Sequence, residues 1–198
     1  MSALHRLRCW RQDRRGVTAV EFALIAPVMI LVMFGLFDMC FQIYAQSILS
    51  GAVQRAGRDS ALEGNSPISL SLIDQKVTNA VKSLIANAIV TSDRKTYSSF
   101  SNIAPEPFTD SNHNGLRDPG ECFSDINNNG IWDADAGSQG QGGANDVTVY
   151  TVTVKYRPFF PLAYVWWGTA QQTLTATTVL KNQPYGTQAT ATPPTVCT

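Results

Sequence analysis

The stretch Arg14–Ile43 reads RRGVTAVEFALIAPVMILVMFGLFDMCFQI, and the rest of the chain is organised around it. From Phe22 to Phe37 it holds no charged residue, and with residues 17–20 added it supplies roughly the twenty residues that a helix needs to cross a bilayer. A membrane span over residues 17–43 is predicted. Glu21 lies one turn inside that run, where a carboxylate costs about 2.5 to 3.5 kcal/mol on insertion scales. A charge so placed is a functional hypothesis by default.

Arg6, Arg8, Arg11, Arg14 and Arg15 crowd the leader before the span, although the net charge of the chain is zero. Basic residues beside a membrane helix mark the cytoplasmic side, so the N-terminus is expected to stay inside and everything after Tyr44 to be exported. The arginines thus read as a topology signal, and no nucleic-acid partner is expected. Three kinds of export signal compete for such an N-terminus. A secretory signal has a shorter apolar core and a small-x-small cleavage site, which this helical pattern does not offer. A lipoprotein signal needs small residues before its cysteine, and Leu36–Met39 ahead of Cys40 do not supply them. The third is cleavage after Gly16, leaving Val17 as a new N-terminus with Glu21 as its fifth residue.

That pattern resembles the class III signal of type IV pilins and pseudopilins. The run Val20, Glu21, Phe22, Ala23 and Leu24, then Pro27 and the Gly35–Asp38 segment, is similar to the TadE/TadG family of tight-adherence (Flp) pilus assembly, with Asp38 where glutamate is commoner. The resemblance implies a pilin-like inner-membrane component with a prepilin peptidase, pilins and other Tad/Flp assembly proteins as partners. The Val17 ammonium of one subunit would then pair with the Glu21 carboxylate of its neighbour, which makes the buried charge cheaper. A plain signal anchor, with Glu21 snorkelling to the headgroups, is the alternative. Pro27 removes one backbone hydrogen bond and is expected to kink the helix near Ala23.

The exported part reads as α+β. The first helix is expected to continue with Ile48, Ala52, Val53 and Ala56 at helical spacing and to end before Gly64. A second helix is expected over Ser69–Ala88, its stripe formed by Leu72, Val77, Val81, Leu84 and Ile85. Strands are expected at Asp146–Arg157, Gln172–Leu180 and, more weakly, Lys95–Ser101, paired antiparallel. The end of the last strand, Thr177–Pro184, also resembles the family's C-terminal pattern. Phe159, Phe160, Trp166 and Trp167, between the strands, suit either a membrane-water boundary or the cap of a core. The expected organisation is a leader (1–16), a span (17–43), a periplasmic domain (44–182) and a flexible tail (183–198).

Residues 106–136 contain a tandem insertion. Glu106–Asp118 (EPFTDSNHNGLRD) and Glu121–Asp133 (ECFSDINNNGIWD) repeat Glu, Phe, Asp, Asn, Asn, Gly and Asp at an offset of 15 residues. Against the calcium loop of an EF-hand, the first copy offers Asp110, Asn112, Asn114, the Leu116 carbonyl, Asp118 and Glu121, with Gly115 at the sharp turn. The second offers Asp125, Asn127, Asn129, the Ile131 carbonyl and Asp133, but Ala136 stands at position twelve, so that either Asp135 substitutes or the site is weaker. Pro105, Pro107 and Pro119 argue against flanking helices. One or two Ca²⁺ ions are expected, at affinities of roughly 10⁻⁴ to 10⁻³ M. The alternative is an Asn/Asp/Gly-rich surface turn that binds no metal. Nearby, Cys122 and Cys197 either bridge or remain two thiols.

His5 and His113 are the only histidines, so a histidine-based triad or zinc hydrolase cannot be built in the exported part. The expectation is a non-catalytic, calcium-stabilised pseudopilin of the inner membrane, single-pass with its C-terminal domain in the periplasm. The second reading is a signal-anchored calcium-binding interaction module outside any pilus.

Overall fold

The structure, a computed structural model, describes residues 16–62, 67–158, 171–184, 186 and 192–197. Residues 1–15 of the basic leader and the aromatic segment Phe159–Gly168 lie outside the described residues. The first helix, α1, runs Val17–Leu62 with Pro27 inside it. Two compact units divide the chain, the first holding residues 1–43 and 158–170, the second residues 44–157 and 171–198. In the first unit the helix is apolar on every side apart from Glu21 and Asp38, a composition long and apolar enough to cross a membrane.

The second unit is a two-layer α+β arrangement. Its helices are the later part of α1 and α2 (Pro67–Lys82). Its sheet has the order β3-β1-β4-β5, with β1 Ile89–Tyr97, β3 Ser138–Gln139, β4 Val147–Tyr156 and β5 Gln172–Lys181, all antiparallel. Alternation along β4 buries Thr148, Tyr150, Val152, Val154 and Tyr156, and register places Leu174 beside Val154 and Ala176 beside Val152. The helices lie on this face. A Cβ at Gly57 of α1 would stand 2.9 Å from Thr178 Cγ2, and Asp74 of α2 accepts the Tyr150 hydroxyl at 2.6 Å. Threonines dominate the other face, where Thr151 and Thr177 share a hydrogen bond of 3.1 Å.

Several boundaries and faces differ from the sequence reading. On α1 the buried stripe is Ala45, Leu49, Val53, Ala56 and Ser60, one position away from Ile48 and Ala52, which face α2 across a groove. On α2 it is Ile73, Val77 and Val81, with Ile85 buried in the turn that follows, while Leu72 is 51 % exposed. That helix stops at Lys82 rather than Ala88: the Leu84 and Ile85 amides share the Val81 carbonyl at 3.1 and 2.9 Å, and the Ala88 amide then bonds to Ile85, three residues back. Six residues earlier than expected, at Ile89, β1 begins, and all nine of its residues pair with β4. Phe100–Asn102 forms a short 3₁₀ turn instead of strand.

Two short segments outside the expected strands are also paired. Ser138–Gln139 adds an edge strand to β1, and Thr195–Cys197, in the expected free tail, forms β6 against β2 (Cys122–Ser124). Cys122 and Cys197 are joined by a disulfide, which fixes the chain end beside the tandem insertion.

Candidate functional site

Two features carry chemistry. The first is the start of α1, where Gly16, Val17 and Glu21 are exposed and Val20, Phe22, Leu24 and Ile25 are 62 to 74 % exposed. Among the described residues this is the one helix long and apolar enough to cross a membrane, and none of its most apolar window is buried. An apolar surface of that extent marks a membrane or protein contact.

The second is the tandem insertion, whose two copies adopt the same local structure. In the first, Asp110 accepts the amides of Asn114 and Gly115 at 3.2 and 2.8 Å, and Asn114 Oδ1 accepts the Leu116 amide at 2.7 Å. Asn112 and Asn114 both donate side-chain Nδ2 to Asp118 Oδ2, at 2.7 and 2.8 Å. In the second, Asp125 accepts the amides of Asn129 and Gly130 at 3.1 and 2.7 Å, and Asn129 Oδ1 accepts that of Ile131 at 2.7 Å. Asn127 and Asn129 donate to Asp133 Oδ2 at 2.8 and 2.6 Å. His113 and Asn128, at equivalent positions, have φ of 59° and 58°, and Gly115 and Gly130 both have 77°. Only glycine adopts that last conformation without strain, which is why both copies carry it.

Side chains one, three, five and nine of each loop therefore converge. Among the described residues no three carboxylate, imidazole or thiolate groups gather as a metal centre, so a cation here would draw on asparagine amides and the Leu116 or Ile131 carbonyl as well. No helix flanks either loop among the described residues.

Glutamates close both loops. Glu121 accepts the amides of Ser111 and Asp118 at 2.7 and 3.0 Å. Glu106 accepts those of Ile126 and Asp133 at the same two distances, and it is buried at 1 % exposure. Sequence reasoning overlooked Glu106, although the repeat that aligns it with Glu121 was the available signal. Asp135 does not complete the second loop. It accepts the Tyr97 hydroxyl at 2.6 Å and pairs with Lys95, anchoring the insertion to β1. Lys95 and Tyr97 hold its carboxyl below the ordinary range, while burial and Asp135 push Tyr97 up to about 12.

The insertion has its own small core. Phe108 faces Phe123 in an antiparallel bridge, flanked by Thr109 N–H to Cys122 O at 2.8 Å and Ser124 N–H to Pro107 O at 2.9 Å. Trp132 meets Phe108 edge-on at 6.0 Å, and the Arg117 guanidinium lies 5.2 Å over Phe123. From the chain end, the Pro194 carbonyl accepts the Asp125 amide at 2.9 Å.

Elsewhere the helices and sheet are clamped by Asp74, which receives both terminal nitrogens of Arg94 at 2.7 and 2.8 Å and the Tyr150 hydroxyl. Burial raises the Asp74 carboxyl, but Arg94 and Tyr150 outweigh it and leave the group below its ordinary value. A groove of about 650 Å³ between α1 and α2 is lined by Ile48, Ala52, Arg55, Lys76 and Leu84 among others. Its Lys76 reaches Asp59 at 3.5 Å.

No curated protein and no solved structure matches the chain. A family model does match, over the segment that holds Glu21, Pro27 and the apolar run: residues 16–58 carry a TadE-like domain, of the family described as TadE-like protein.

Proposed function

We propose that this chain is a pseudopilin-like component of tight-adherence pilus biogenesis or secretion, anchored in the bacterial inner membrane. Its N-terminus lies in the cytoplasm and its second unit in the periplasm. A prepilin peptidase cuts after Gly16, and the Val17 ammonium so created meets the Glu21 carboxylate of a neighbouring subunit within the apolar helix layer. The observation that carries this reading is the coincidence of the TadE-like match with an apolar helix whose most apolar window has nothing buried, and with the Glu21 carboxylate a turn inside its start. A buried charge of that kind is retained where it has a partner.

The tandem insertion serves as a calcium-stiffened element of the exported domain. Equivalent loops with converging oxygen-bearing side chains and a left-handed glycine support that role. Its partners are other Tad/Flp assembly proteins and pilins together with the bilayer.

Glu21→Gln keeps the shape and removes the charge. The expected result is normal membrane insertion with pilus output lost; undiminished pilus output would overturn the assembly role of this carboxylate. For the insertion, chelation should lower the melting temperature of the full chain in detergent, and Asp110→Ala should leave less for chelator to remove. Equal melting with and without calcium would take the metal out of the account.

A further inference from the structure

We propose that both loops of the insertion hold a divalent cation, and that Glu106 is the carboxylate that closes the second. This rests on the calcium reading above. By the EF-hand pattern the first loop is closed by its own twelfth residue, Glu121, whereas the second has Ala136 there, buried and without a side-chain oxygen. Taken as linear sequence, the second loop is incomplete.

The fold completes it through the pairing of the two copies. Because Phe108 faces Phe123 in an antiparallel bridge, Glu106, two residues before Phe108, stands level with Asp125, two residues after Phe123. By the same relation Glu121 stands level with Asp110. Antiparallel copies of one repeat thus lend each leading glutamate to the other copy's loop. Glu121 fills both descriptions, being the first residue of the second copy and the twelfth of the first loop. Glu106 reaches its loop only across the pair. It nevertheless receives the amides of loop positions two and nine, Ile126 and Asp133, as Glu121 receives those of Ser111 and Asp118.

Burial is the second argument. Glu106 and Asp125 are 1 % and 2 % exposed on facing positions, and like charges so placed call for a countercharge. Asp125, Asn127, Asn129, Asp133 and the Ile131 carbonyl are hard oxygen donors of the type a divalent cation takes. Glu106 is a positioning residue in this arrangement: it fixes the backbone at positions two and nine and adds the charge that Ala136 does not.

Trp132 makes the second loop readable. It occupies the eighth loop position and donates its indole N–H to the Glu106 carbonyl at 2.8 Å, whereas the first loop has Arg117 there. Terbium(III) occupies calcium's oxygen sites and emits when a nearby indole is excited. The full chain in detergent is titrated with terbium, with calcium as competitor, and Trp132→Phe identifies the emission that belongs to the second loop. Two ions per chain are expected, with Trp132-dependent emission that calcium displaces. Glu106→Gln should weaken that component about 10- to 100-fold, as loss of a group that orients the ligands does, while the other ion remains. Asp110→Ala should do the reverse.

No ion bound by the unaltered chain would remove the calcium reading and this proposal together. One ion without Trp132-dependent emission would overturn the proposal and leave a single-site calcium reading standing, and this holds even where Glu106→Gln fails to fold. A Glu106→Gln chain that titrates as the unaltered one overturns the role of Glu106. So does loss of both ions with the disulfide and circular dichroism intact, since that is a structural effect on the whole insertion.

Discussion

Asp74 joins α2 to two strands, because a single carboxylate takes both nitrogens of Arg94 and the hydroxyl of Tyr150. The Arg94 side chain is only 10 % exposed and also lies 4.2 Å over the Tyr150 ring, so removing its partner strands a largely buried charge. Asp74→Ala should cost about 3 kcal/mol, the lower end for a broken buried pair because Asp74 itself is 28 % exposed. Urea unfolding of the full chain in detergent, followed by circular dichroism, measures it. Asp74 and Asp135 both have folded pKa values below their ordinary 3.8. A depressed carboxylate contributes stability that is present above the unfolded pKa and lost as pH falls through the folded one. The melting temperature should therefore hold at neutral pH and drop below about pH 4, with Asp74→Ala flattening that drop.

At the scale of elements, Gly57 is where α1 comes closest to β5. A helix-interior glycine ordinarily costs about 1 kcal/mol relative to alanine, but a Cβ here would stand 2.9 Å from Thr178 Cγ2 and 3.3 Å from Leu180 Cδ2. Gly57→Val should destabilise by about 1 to 3 kcal/mol through overpacking, measured as a lowered urea midpoint at unchanged slope. The elements most legible in sequence were those whose pattern is local. Val147–Tyr156 is nearly all β-branched or aromatic, and Gln172–Lys181 sets Thr173, Thr175, Thr177 and Val179 at alternate positions, so both strands are found where expected. Ile89–Tyr97 hid because Asp93, Arg94 and Lys95 interrupt its apolar character. Arg94 faces the core only because Asp74 and the Tyr150 ring receive it, and that is a tertiary fact. The same holds for Ser138–Gln139 and Thr195–Cys197, which pair with strands far away in sequence and carry little signal of their own. Glu106 escaped for the related reason that its loop lies across a pairing, not along the chain.

For the molecule as a whole, the disulfide closes a loop of 75 residues that contains β3, β4, β5 and the second insertion loop. Chain-entropy arguments give about 4 kcal/mol for a loop of that length. Cys197→Ser should lower the melting temperature, and it should weaken the second insertion loop more than the first, since Asp125 N–H bonds to Pro194 beside the disulfide-linked strand. Non-reducing mass mapping and the terbium titration check the two parts separately. The proposed architecture divides the work between an apolar helix that carries Glu21 into the bilayer and a disulfide-fastened domain in the periplasm. Its assembly step depends on a free amine at Val17, which exists only once the basic leader is removed. Intact-mass spectrometry of the chain extracted from membranes of cells assembling pili tests this directly. The account predicts a polypeptide that begins at Val17; a chain that begins at Met1 or Ser2 and is nonetheless part of the assembled structure would contradict it.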